Sequence, residues 1–272
     1  MDFNREYFKG KTAVVTGAAS GIGLALVEEL LDSDATKVVM ADINPDNLSK
    51  HEKRLQEQYP GHVKGIICDV TKEESVNDLI KQSAEFFDGS FDLLFNNAGA
   101  GLSGAFSDCE ISDWKMGFDL NFYGALYGMR AVIPIMLKQG GGQIINIISG
   151  IAFTPMAFQS RYAATKAALN GLSLALRAEY WDENIKVSSA TPGTTATAIF
   201  KADGGEAPDT AQSPQQSVSR ILDGVANNVR LIFGDDSDAD GGKHSFHIDA
   251  QTDYDEYLLN VTRARRKGET AF

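Results

Sequence analysis

Seven short runs rich in β-branched and apolar residues recur along the chain, at 12–16, 37–41, 63–68, 91–95, 143–148, 185–190 and 229–233. Helix-length stretches separate them, at 22–31, 47–58, 73–87, 111–138 and 160–182, with a shorter one at 217–228. Most of the runs are apolar throughout rather than alternating, which is how strands buried on both faces of a parallel sheet read. Strand–helix alternation over a whole chain implies crossover connections, and right-handed crossovers distribute helices over both faces of the sheet. The expected fold is therefore α/β, a doubly wound and mostly parallel seven-stranded sheet flanked by helices. No internal repeat or linker interrupts the pattern. A chain of 272 residues, 43% of them hydrophobic, can bury one large core, so a single domain over 1–272 is expected.

Ligands of such sheets bind beyond the C-terminal strand ends, so the residues just after each strand carry the most information. The first strand runs directly into "TGAASGIG", residues 16–23, and a helix begins near Gly21. Glycines at Gly17, Gly21 and Gly23 let backbone N–H groups approach a phosphate, and a helix N-terminus favours negative charge. The spacing is neither the usual dinucleotide fingerprint nor a P-loop. A glycine-rich turn without a ligand is the alternative reading. The second strand ends in Asp42, nineteen residues after Gly23, close to the spacing at which an acidic residue accepts hydrogen bonds from an adenosine ribose. A carboxylate there repels a 2′-phosphate, and neither Ile43 nor Asn44 supplies a cation, so NAD is expected over NADP. Alternatively, Asp42 only caps the loop that follows.

The fifth run, "QIINII", delivers Ser149 to the same sheet edge, where its hydroxyl could hold a substrate oxygen or simply cap the strand end. Thirteen residues later come Tyr162 and Lys166, at i and i+4 and so on one helix face. A free phenol titrates near 10, but a neighbouring ammonium and a cationic nicotinamide both favour the phenolate. Tyr162 could then remove the proton of an alcohol as hydride leaves carbon. A solvated surface lysine is the plainer reading of Lys166 taken alone. Asn121 lies inside the helical stretch 111–138, where asparagine is a mediocre residue.

Six segments in order, "TGAASGIG", "CDVT" (68–71), "NNAG" (96–99), "DLNFYG" (119–124), "RYAATK" and "PGTTAT" (192–197), resemble the motifs of the short-chain dehydrogenase/reductase family over about residues 8–233. The resemblance implies a Rossmann-type fold and four catalytic positions, Asn121, Ser149, Tyr162 and Lys166. It implies that Lys166 also holds the nicotinamide ribose, and that Asn121 distorts its helix and anchors a water linked to the lysine. With the glycine turn and Asp42, it marks Gly17, Ser20, Gly21, Ile22, Gly23, Asp42, Ile43, Asp69, Val70, Asn97, Ala98, Gly99, Tyr162, Lys166, Pro192, Gly193 and Thr197 as the NAD-binding set. The expected function is hydride transfer between NAD(H) and a secondary alcohol or ketone. A protein that binds NAD as a sensor or scaffold without turnover is the alternative, and an epimerase or dehydratase is weaker for want of a separate substrate domain.

On the substrate side, 150–160 offers Ile151, Phe153, Met156 and Phe158, which suit a lipophilic alcohol or ketone unless they cover the protein's own core or a subunit interface. A mobile lid is expected over about 194–214, centred on the Gly-, Pro- and small-polar-rich 201–213. Many members of the family end on a strand and a Gly pair that builds a tetramer; here a polar extension, about 234–272, continues. A homodimer through the two long helices or a homotetramer both remain open. In "DDSDADGG", Asp236, Asp238, Asp240 and Gly241 match positions 1, 3, 5 and 6 of a calcium loop, but position 12 is His247 instead of Glu. A solvated acidic loop without metal is expected, and the basic tail at 263–269 reads as helix-end charge. The net charge of −12 argues against nucleic-acid and anionic-membrane partners. No apolar run reaches the roughly 20 residues of a membrane span, and the N-terminus lacks a signal-peptide core. Two cysteines, Cys68 and Cys109, imply no disulfide framework, and Cys68 reads as a core residue. A cytoplasmic setting is expected.

Overall fold

The computed structural model describes residues 3–197, 206–245 and 251–268. Seven strands form one sheet: β1 (Thr12–Thr16), β2 (Lys37–Asp42), β3 (Val63–Ile67), β4 (Leu93–Asn96), β5 (Gly142–Ile147), β6 (Ile185–Thr191) and β7 (Leu231–Phe233). Their order is β3-β2-β1-β4-β5-β6-β7, and every neighbouring pair is parallel. The sheet is thus of Rossmann type. Strand order reverses between β1 and β4, which opens a crevice beyond their C-terminal ends.

The strands read as continuous apolar runs because successive side chains enter opposite cores. Ala13, Val15, Val38 and Met40 join one buried cluster, and Val14, Val39 and Ala41 join the other. The first core is closed by α1 (Gly21–Asp32) and α7 (Pro214–Ala226), through Leu26, Leu30, Ile221 and Val225. Leu48 and Leu55 of α2 (Pro45–Gln58) extend it. The second is closed by α3 (Glu73–Phe86), α5 (Gly124–Gln139) and α6 (Ser160–Glu179), through Leu79, Met129, Met136 and Leu169. The segment Ile111–Gln139 is long and apolar enough to cross a membrane by composition. Here Met129, Val132 and Met136 lie buried against the sheet.

The expected helix at 111–138 is interrupted. It runs as α4 (Ile111–Phe118), a π-helical turn at Asp119–Tyr123, and then α5. The helix expected at 217–228, α7, begins earlier than its apolar pattern, at Pro214, because Ser213 and Gln216 close a capping box around its first turn. The acidic segment after β7 departs from expectation. It is not a solvated loop but a helix, α8 (Asp236–His244), and a further helix follows, α9 (Gln251–Arg266). Asp235 caps α8 by accepting the Asp238 N–H at 2.7 Å, and further carboxylates in the first turn complement the helix dipole. In this helix Asp236 pairs with Arg220 at 2.8 Å, so the residues of the supposed calcium loop do not form one; His247 lies outside the described residues.

A polar chain crosses the second core. Asn96 of β4 donates to Asn146 of β5 at 2.8 Å, and Asn146 donates to the Ser173 hydroxyl of α6 at 2.8 Å. All three are buried, so each bond stands in for lost water and fixes α6 against the sheet. Replacing Asn146 by Leu leaves the Asn96 amide only a long bond, 3.5 Å, to Ala125 O. Urea denaturation should show a loss of about 2–4 kcal/mol. Unchanged stability would mean the chain of bonds is incidental.

Candidate active site

The turn after β1 is shaped by close approach. Gly17 and Gly21 are left-handed, at φ +65° and +53°. A Cβ on Gly23 would lie 2.1 Å from the Gly17 carbonyl oxygen and 2.7 Å from Asn97 Nδ2, so only glycine lets α1 start this near the turn. Ser20, at the cap position, accepts no first-turn N–H with its side chain and leaves the end of α1 open to an anion. Asn97 braces the turn by donating to Thr16 O at 2.9 Å and Gly17 O at 3.3 Å.

At the end of β2, Asp42 accepts the Ala19 N–H on one oxygen and the Asn44 N–H on the other, both at 2.9 Å. It therefore does cap its loop. A carboxylate offers about four acceptor positions, so these two bonds leave capacity for ribose hydroxyls. Ile43 beside it is 64% exposed. Asp69, after β3, accepts from the Thr71 N–H and hydroxyl at 3.0 and 2.7 Å.

Tyr162 and Lys166 stand on the first turns of α6, and the Lys166 ammonium lies 5.8 Å from the centre of the Tyr162 ring. The lysine is not a solvated surface residue. It is buried, and its Nζ donates to Ile147 O at 2.8 Å, at the end of β5 two residues before Ser149. Burial pulls its pKa down to about 8. Asn121 sits within the π-helical turn, and its amide bonds both ways with the backbone of Ala100, at 3.0 Å each, and donates to Thr165 Oγ1 at 3.3 Å. Gly99 lets these groups converge: a Cβ there would come within 2.8 Å of Asn121 Oδ1 and 3.3 Å of Lys166 Nζ. Ser149 occupies the cap of a short 3₁₀ turn, Gly150–Ala152, with its hydroxyl 3.4 Å from the Ile151 N–H.

A cleft of about 530 Å³ runs along this edge. It is lined by Gly17, Ser20, Gly21, Ile22, Gly23, Asp42, Ile43, Asp69, Val70, Asn97, Ala98, Gly99, Tyr162, Lys166, Pro192 and Thr197. Of the sequence-derived set, Gly193, Ser149 and Asn121 are not on its wall; Gly193 adjoins it at φ +72°. Cys68, Thr71, Ala100, Gly101, Leu120, Ile147 and Ile148 also line it and were not anticipated as site residues. Several of these directly end or follow strands, which is the signal that could have found them.

On the substrate side the expectation is narrowed. Ile151 and Phe153 are buried, and Phe153 belongs to the second core, 6.1 Å from the Phe233 ring centre. Met156 and Phe158 remain partly exposed. Arg265 of α9 reaches back to this loop, donating to Ala157 O at 2.7 Å. Of the expected lid, 198–205 lies outside the described residues, but its two stems meet, with Gln212 N–H donating to Thr194 O and Ala196 N–H to Gln212 O, both at 2.9 Å.

The family model for short chain dehydrogenase matches residues 11–206. An uncharacterized oxidoreductase of Staphylococcus aureus (strain MRSA252) is 40% identical over 189 residues, 70% of this chain and 80% of that protein. The crystal structure of a short chain dehydrogenase/reductase from Burkholderia phymatum in complex with NAD aligns with a TM-score of 0.79 and 25% identity, over 87% of this chain and 93% of that one. A short chain dehydrogenase from Mycobacterium smegmatis aligns at 0.74 and 26%, over 86% and 95%. This chain belongs to the short-chain dehydrogenase/reductase family. It is an oxidoreductase of that family, whose members take a nicotinamide cofactor and act on small molecules.

The buried amine has a measurable consequence. An unfolded lysine keeps its proton to about 10.4, whereas folded Lys166 releases it near 8. Between those values the unfolded chain binds more protons, so stability from this group rises with pH and is lost as pH falls through 8. Relative to Lys166→Met, the cofactor-free protein should gain on the order of 2–3 kcal/mol of unfolding free energy between about pH 7 and about pH 10.5. A pH-independent difference would contradict a buried amine.

Proposed function

We propose that the protein is an NAD-dependent dehydrogenase/reductase that interconverts a secondary alcohol and its ketone. The observation that carries this reading is the placement of Tyr162 and buried Lys166 on the wall of the same cleft as the glycine cradle. The cradle fits a dinucleotide: Gly23 has no room for a Cβ, and the α1 N-terminus has no side-chain cap. Gly17, Ser20, Gly21, Ile22 and Gly23 would hold the pyrophosphate, with Asp42 and Ile43 at the adenosine ribose. Asp69, Val70, Asn97, Ala98 and Gly99 would border the adenosine side, and Pro192, Gly193 and Thr197 the nicotinamide. When bound, the nicotinamide supplies the acceptor or donor of a hydride.

In the oxidising direction Tyr162 takes the hydroxyl proton of the substrate as its carbinol C–H bond breaks. The Lys166 ammonium stabilises the phenolate that accepts this proton and so becomes a neutral phenol, and it would also hold the nicotinamide ribose. Ser149 donates a hydrogen bond to the substrate oxygen, and Asn121, in the π-helical turn beside Lys166, would anchor a water linked to that lysine. Met156 and Phe158 favour an apolar substrate. The whole chain acts as one catalytic domain, associating as a homodimer or homotetramer.

Tyr162→Phe should lower kcat by about 10²–10⁴-fold while leaving the Kd for NADH within about threefold, read by turnover and NADH fluorescence. Retained turnover would remove Tyr162 from the acid–base role. Cofactor choice is checked separately. The wild type should give a higher kcat/KM with NAD than with NADP, and Asp42→Ala should narrow the ratio by about tenfold or more by relieving repulsion of the 2′-phosphate. Faster turnover with NADP would defeat the assignment of Asp42. Binding of NADH without turnover across a broad alcohol and ketone panel would instead support a sensor or scaffold.

A further inference from the structure

The proposed reaction leaves one inward-facing carboxylate without a role. Asp238, the third residue of α8, turns toward the C-terminal edge of β5 and β6. Its Oδ2 is sealed from solvent and set against the Thr191 hydroxyl at the end of β6, yet neither atom forms a well-aligned hydrogen bond. The carboxylate also faces the backbone N–H groups of Gly150 and Gly193. Those amides belong to two different loops. Gly150 directly follows Ser149, and Gly193 follows Pro192 on the cleft wall.

The space these groups share is built. Gly150 has no left-handed backbone to explain it; instead a Cβ there would lie 2.0 Å from Asp238 Oδ1 and 2.5 Å from its Cγ. A Cβ on Gly193 would lie 2.2 Å from Asp235 Oδ2. That same oxygen accepts the Thr194 N–H at 2.8 Å, while the other oxygen of Asp235 caps α8. Two carboxylates at one helix end therefore fill the spaces that two glycines leave open, one beside Ser149 and one beside the cofactor cleft.

We propose that Asp238 is a positioning residue for the oxidoreductase reaction: through Gly150 and Gly193 it sets the spacing between the turn that presents Ser149 and the loop that borders the nicotinamide end of the cleft. This rests on the reading of Ser149 and the cleft given under Proposed function. Asp238 touches neither substrate nor cofactor and acts through the two backbone segments. Misplacement of a reacting group by about 1 Å can cost on the order of 10²-fold in rate, so a brace of this kind has leverage.

The groups facing Asp238 come from four places. β6 brings the Thr191 hydroxyl, the turn after β5 the Gly150 N–H, the loop after β6 the Gly193 N–H, and its own helix the Asp235 carboxylate. Arg220 of α7 is engaged with Asp236. Burial, and to a lesser degree Asp235, raise the Asp238 pKa above the ordinary range, while Thr191 and the two amides oppose the rise. Protonation removes the charge that both loops share, so the two amides should sense a single titration.

Selective ¹⁵N-glycine labelling of the full chain reads this directly, without turnover. The Gly150 and Gly193 amide resonances should move with one common midpoint above the free-aspartate value of about 3.9, and neither should do so in the isosteric Asp238→Asn. Kinetics supplies the second arm. Asp238→Asn should lower kcat by about tenfold or more, keep KM and the Kd for NADH within about threefold, and lose the acid limb of the wild-type kcat profile. Separate midpoints for the two amides, or a variant with wild-type kcat and acid limb, would overturn the proposal. If Asp238→Asn does not fold, the wild-type titration decides alone. Absence of turnover by the wild type on any alcohol or ketone would instead sink the oxidoreductase reading of the cleft, and leave the shared titration to stand or fall by itself.

Discussion

A parallel sheet must be covered on both faces, and each crossover that covers it returns the chain to begin the next strand at the same end. Everything else in this molecule follows from that constraint. Seven strands run the same way, so their C-terminal ends lie along one edge. The residues after β1, β2, β3, β4, β5 and β6, far apart in sequence, are thereby neighbours around one cleft. The reversal of strand order between β1 and β4 opens that edge, because the helices leaving the two strands go to opposite faces.

Precision at the edge comes from polar groups that are costly to bury and therefore held tightly. Asn96, Asn146 and Ser173 tie β4, β5 and α6 together through the second core. Two turns back along α6 stands Lys166, whose charge is disfavoured by burial and held by the Ile147 carbonyl. Asn121 reaches the same point only because a π-helical turn shifts the register between α4 and α5. Glycines make the approach possible. Gly23 lets α1 start close to Gly17, and Gly99 lets Asn121 and Lys166 meet. At Gly23 two backbone segments share space and at Gly99 two polar side chains crowd the backbone, and such positions reject any side chain whatever its chemistry.

The segment after β7 carries a second lesson. Its run of acidic residues suggests solvation, yet the chain folds it into α8 and directs Asp235 and Asp238 at the loops after β5 and β6. Asp235 is recognisable as an N-cap only once the helix is known. The inward turn of Asp238 depends on Gly150, nearly ninety residues earlier, leaving space for it. No local pattern around either residue reports that pairing.

By itself the sequence determined the α/β class, the number of strands and the glycine turn after β1, because each is written in local periodicity or short spacing; most of the remaining cleft residues were marked by the resemblance of their motifs to those of the family. Thr12–Thr16 and Lys37–Asp42 read as strands from their own composition, and Gly17, Gly21, Gly23 and Asp42 stand at fixed offsets from them. What only the tertiary structure decided is which apolar and charged residues face inward. Ile151 and Phe153 looked like substrate contacts and are buried, Phe153 in the second core. Lys166 by itself looked like a surface lysine and is buried; Asp238 looked solvated and turns toward the sheet edge. Burial depends on what other elements bring to the same place. That information is distributed over residues tens of positions apart, so it exists only once the sheet has assembled and the helices have closed over it.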